Sequence, residues 1–119
     1  MNIEKFRKII KQREYIEKIS YGEWSDGIEQ CNKEEIKLLS EDIGATIEFL
    51  NNECTADEYS WISEIIDDLA EKTMSKELID CYKNLMLKFP DECKKYNIAG
   101  SIEFAEGILN QEEEDDKKD

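Results

Sequence analysis

Thr55 is followed three residues later by Glu58, and apolar residues then recur at Tyr59, Ile62, Ile66, Leu69 and Ala70. A threonine and a glutamate at this spacing cap each other's backbone N–H groups at a helix start. The recurrence that follows defines one buried stripe on a helix running to about residue 72. A period of three to four residues returns along the chain, no stretch alternates like a strand, and Pro90 is the only proline. The expected fold class is all-α. The expected form is an irregular helical bundle of about five to seven helices, built as stacked antiparallel α-hairpins.

The remaining elements follow from the same spacing. A first helix is expected over about residues 2–19, with Ile3, Phe6, Ile9 and Ile10 inward. Arg13 and Glu17 fall inside that apolar face, four residues apart, where an ion pair is expected. Residues 20–39 are the least regular part: Gly22 and Gly27 punctuate them, and they predict no more than one or two short helical turns. Ser40 reads as the N-cap of the next helix, with Glu41 and Asp42 in its first turn. Its inner stripe is Ile43, Ile47, Leu50 and Cys54, which leaves Phe49 pointing elsewhere. Ser75 opens a helix that turns Leu78, Ile79, Tyr82, Leu85, Met86 and Phe89 inward. Pro90 ends that helix and suits the start of a short one to about residue 96. A last helix over about 98–109 buries Ile98, Ile102, Ala105, Ile108 and Leu109. Residues 1–110 are expected to form a single helical domain, and residues 111–119 an acidic, disordered tail with no apolar residue to bury.

Charge narrows the functional classes. The net charge is −14, and it is unevenly placed. Residues 1–20 hold six Lys or Arg against three Glu, whereas residues 21–71 hold fifteen Asp or Glu against Lys33 and Lys37. Such a field repels nucleic acid and anionic membrane and attracts basic surfaces. No apolar run approaches the ~20 residues that span a bilayer, and the charged N-terminus does not read as a signal peptide. A cytoplasmic location is expected. Cys31, Cys54, Cys81 and Cys93 lie in separate segments with no C-x-x-C pair, and there is no histidine. They read as semi-buried thiols, and neither a cofactor nor a resident metal is expected.

Catalytic constellations are sparse. Without histidine, the usual nucleophile–histidine arrangements are excluded, and no phosphate-cradling glycine loop is present. The segment "EIIDDLAE" places Glu64, Asp67 and Glu71 at helical spacing. Glu64-x-x-Asp67 resembles the second acidic motif of all-α, magnesium-dependent nucleotide pyrophosphatases of the MazG type. The first motif of that family breaks, because Glu34-Glu35 is followed at the required position by Leu38. A binding face is the stronger reading. Ser60, Glu64, Asp67 and Glu71 fall opposite Ile62, Ile66 and Leu69, with Trp61 at the border near Glu64 and Asp68. An aromatic residue at the edge of an acidic patch suits an interface anchor, although Trp61 could equally complete the core. The stretch "GEWSDG" repeats that composition with Glu23, Trp24 and Asp26.

The segments "YGEWSDGIEQ" and "DEYSWISEIIDDLAEKTMSKELIDCYKNLMLKFPDECKKYNI" resemble small helical immunity proteins of bacterial polymorphic toxin systems, including contact-dependent growth inhibition. The similarity is one of overall pattern over about residues 20–109. The paired-tyrosine–proline motif of the colicin DNase immunity proteins is absent, so the resemblance does not extend to that subfamily. It implies a non-enzymatic antitoxin that binds a cognate toxin domain, expected to be a basic nuclease, and blocks it. The expected partner-binding residues are Glu23, Trp24 and Asp26 in the first segment, and Trp61, Glu64, Asp67, Asp68 and Glu71 in the second. The alternative is an acidic adaptor or regulatory module that binds another basic protein.

Overall fold

A computed structural model describes residues 1–20, 23 and 25–118, with side chains described through Asn110. Among the described residues the chain is all-α, with eight α-helices and one short 3₁₀ turn. They are α1 (Ile3–Ser20), α2 (Ser25–Glu41), α3 (Ile43–Asn52) and α4 (Ala56–Ile62). After these come α5 (Ile66–Thr73), α6 (Lys76–Asn84), the 3₁₀ turn Leu85–Leu87, α7 (Pro90–Tyr96) and α8 (Ile98–Lys118). None of them is long and apolar enough to cross a membrane. One hydrophobic core holds them together, with α1 packed along α2 and α5 along α8.

The cap signals in the sequence act as expected at three places. Thr55 accepts from the Glu58 N–H at 3.2 Å while the Glu58 carboxylate accepts from the Thr55 N–H at 3.0 Å, closing a capping box. Ser75 accepts from the Leu78 N–H and starts α6. Pro90 is the first residue of α7. Met74 and Asn97 end α5 and α7 in the left-handed region, at φ 48° and 51°, so each chain reversal is made without glycine.

Five expectations are corrected. The last helix, expected over about 98–109, runs from Ile98 to Lys118. Residues 25–41 form one continuous helix, which takes in Asp26 and Gly27, in place of isolated turns. Ser40 lies inside α2, and the N-cap of α3 is Asp42, whose carboxylate accepts from the Ala45 N–H at 3.1 Å. Phe49 is buried, because α3 is covered on two sides: Phe49 meets the edge of Phe6 from α1 at 5.4 Å, and α6 packs against the same helix. The expected single helix over 55–72 is broken at residues 63–65. There the Ser60 hydroxyl donates to the Asp57 carbonyl and the Ser63 hydroxyl to the Ser60 carbonyl. Three-residue backbone bonds, such as Ile65 N–H to the Ile62 carbonyl at 3.0 Å, replace the four-residue ladder. Serine side chains that bond back to the chain compete in this way with helix propagation.

The inward residues of α4 and α6 are as the spacing predicts. Tyr59 and Tyr82 are fully buried and stacked at 4.3 Å, and each hydroxyl donates to the other's backbone carbonyl, at 2.9 and 2.7 Å. The pair satisfies two buried hydroxyls and joins α4 to α6. All four cysteines are free thiols. Three are buried, and burial pushes the Cys54 thiol up to about 12.

Candidate functional site

The break between α4 and α5 shapes the acidic surface. It sets Trp61 at the end of α4, Glu64 in the turn, and Asp67, Asp68 and Glu71 along α5. Burial, then the charges of Asp67 and Glu71, hold the Asp68 carboxyl above the usual range, so these three carboxylates act on one another. Glu64, Asp68 and Glu71 are exposed and Asp67 is half-buried. Ser60, expected on the open side, is buried, because its hydroxyl is turned to the Asp57 carbonyl.

Beneath this surface lies Arg13, only 5 % exposed. Its guanidinium forms the expected ion pair with Glu17 and a second one with Glu64 at 3.2 Å, and it lies over the Trp61 ring at 5.1 Å. Burial opposes its charge, and the bond to Glu17 with the field of Glu64 outweighs that, leaving Arg13 firmly protonated. Trp61 is half-buried, so core packing and surface display are combined in one side chain. Its indole N–H donates to Glu14 at 3.1 Å.

Glu35 was not anticipated. It is 1 % exposed on the inner face of α2, beside Cys31, Leu38 and Leu39, and one of its carboxylate oxygens has no hydrogen-bond partner. Burial, then the nearby charge of Glu64, raise its carboxyl to about 8, against the smaller pull of Arg13. Cys31, Leu38 and Leu39 mark the helical face on which it sits, so a continuous helix over 25–41 would have exposed the anomaly in the sequence.

Two adjoining cavities open along this surface. The first, about 500 Å³, lies between the end of α1, the α4–α5 turn and the α7–α8 corner. Glu17, Asp57, Trp61, Glu64 and Tyr96 line it. The second, about 540 Å³, continues past Asp67 to Asn97, Gly100 and Phe104. They share Ser63, Glu64 and Ser101, so they form one groove. No protein-family model, curated protein or solved structure matches the chain.

The residues expected from the sequence divide into two sets. Trp61, Glu64 and Asp67 are brought to the groove, with Asp68 and Glu71 beside Asp67 on α5. Glu23 and Asp26 are exposed at the α1–α2 junction, and no described hydrogen bond or ion pair joins them to the groove. Trp24 lies outside the described residues. Tyr96 and Phe104 escaped the sequence reading. Each is an aromatic on the outer side of its helix, 49 % and 64 % exposed, and only the fold brings α7 and α8 against the α4–α5 turn.

Proposed function

We propose that the chain is an immunity protein, a non-enzymatic antitoxin that binds and neutralises a cognate toxin domain, a basic nuclease, through its acidic surface. The observation that supports this most is the placement of Glu64 and Asp67 in an open groove with Trp61 in its wall, and of Asp68 and Glu71 next to Asp67 on α5. Carboxylates on such a surface can occupy the positions where a nuclease receives phosphates. Their field would speed encounter, and burial of the aromatic would slow release.

The test is co-purification of the chain with the product of an adjacent toxin gene, followed by charge reversal. Glu64 is a poor choice for reversal because it holds Arg13. Asp67→Lys, Asp68→Lys and Glu71→Lys together leave that pair intact. They should weaken toxin binding at least about tenfold and reduce its salt dependence. Unchanged affinity would remove α5 from the interface. The magnesium-dependent pyrophosphatase reading has a weaker basis, since Glu64 of its acidic motif is already held by Arg13 and Leu38 is buried. Nucleotide turnover with Mg²⁺ that disappears in Asp67→Asn would reverse that order.

A further inference from the structure

The groove has a second wall that the acidic segment does not supply. Tyr96 and Phe104 stand on either side of Asn97 and Gly100 at the α7–α8 corner, facing the cavities that Trp61 and Asp67 line from the other side. Among the described residues, four carboxylates and no Lys or Arg line the two cavities: Glu17, Asp57, Glu64 and Asp67. Arg13 beneath balances one of these charges, so the groove stays acidic. Two of its aromatic rings already hold a cation from the chain itself. The Arg13 guanidinium lies over Trp61 at 5.1 Å, and the Lys95 ammonium lies over Tyr96 at 5.3 Å. Rings of this kind accept the long stem and charged head of a basic side chain.

We propose that this groove receives one extended Lys- or Arg-bearing segment of the partner polypeptide. One basic side chain enters the cavity between Trp61 and Tyr96, with its head among Glu17, Asp57 and Glu64. The next enters the cavity beside Asp67 and Phe104. The volumes, about 500 and 540 Å³, fall within the size range of sites for compact ligands. The inference rests on the immunity reading for the identity of the partner, but the chemistry of the occupant follows from the groove alone.

The test uses the full chain, labelled with ¹⁵N, and synthetic Gly/Ser decapeptides that carry two arginines. The matched control carries two citrullines, which keep the shape and lose the charge. The arginine peptide should shift the Trp61 indole, Gly100, Ser101 and Phe104 resonances, and the citrulline peptide should not. Tyr96→Ala with Phe104→Ala should lower peptide affinity at least about fivefold. Both rings are exposed, so an unchanged melting temperature confirms that the variant folds. The proposal is overturned if the arginine peptide shifts resonances elsewhere or nowhere. It is also overturned if spermidine binds the groove as tightly as the peptide, or if the same resonances move only with self-association of the chain. If the cognate toxin binds the double variant with unchanged affinity, the groove falls while the immunity reading stands. If no toxin binds the wild-type chain but the peptide does, the immunity reading falls and the groove remains.

Discussion

Arg13 and Glu35 are ionisable side chains buried on the inner faces of α1 and α2. Arg13 lies inside an apolar helical face four residues from Glu17, and a charge buried there requires a partner. The second partner, Glu64, is 51 residues away and belongs to the fold. Glu35 was hidden because a carboxyl interrupts the apolar face of α2 and so obscures the helix itself. Its burial makes a pH prediction. The Glu35 carboxyl sits at about 8 in the folded chain, above its ordinary value of 4.5, with Arg13 of α1 and Glu64 of the α4–α5 turn facing it. A carboxyl raised by folding favours the folded state fully only below its ordinary value, and that stability is lost as the pH rises to its folded value. Stability should therefore fall between about pH 4.5 and 8, with a loss on the order of 3 kcal/mol by pH 7. Glu35→Gln should flatten most of that slope in urea unfolding across this range. A residual slope of the same sign is expected from Glu14, Glu64 and Asp68, whose carboxyls are also raised, mainly by burial. A wild-type chain equally stable at pH 5 and pH 8 would contradict this account.

At the scale of elements, caps and spacing were legible, and breaks were not. The Thr55–Glu58 box and Pro90 are local devices, and each fixes a helix start from residues within one turn. The interruption at residues 63–65 depends on which way two serine hydroxyls turn, and Phe49 is buried by helices on two sides of α3. Glu64 and Asp67 of the groove were readable from one segment, whereas Glu17 and Asp57 join them only in the fold. The opposite wall of the groove was not, because Tyr96 and Phe104 reach it only through the packing of α7 on α4 and of α8 on α5. The Tyr59–Tyr82 pair gives the element-level test. Tyr59→Phe and Tyr82→Phe should each cost about 1–2 kcal/mol in urea unfolding, since each removes a buried hydrogen bond between α4 and α6. The double variant should show a coupling energy above ~0.5 kcal/mol, because the two bonds share one stacked pair. Strict additivity would mean that the two bonds act independently.

For the whole molecule, the net charge of −14 governs how stability and binding respond to salt. Fifteen carboxylates in residues 21–71 repel one another across α2 to α5, and among the described residues three of them, Glu29, Glu58 and Glu64, are in ion pairs. Screening should therefore stabilise the fold. The melting temperature is expected to rise when the ionic strength goes from about 10 to about 150 mM, where the screening length drops to about 8 Å. The same addition of salt should weaken binding to a basic partner, so stability and affinity should move in opposite directions. A melting temperature that falls with salt would show that the attractive pairs outweigh the repulsion.

The buried Arg13 has a further consequence for any such encounter. Ordering a free glutamate side chain costs up to about 2 kcal/mol in lost rotamer freedom. Glu17 and Glu64 are already pinned by Arg13, so that loss is incurred once, when the chain folds, and is not repeated when a partner arrives.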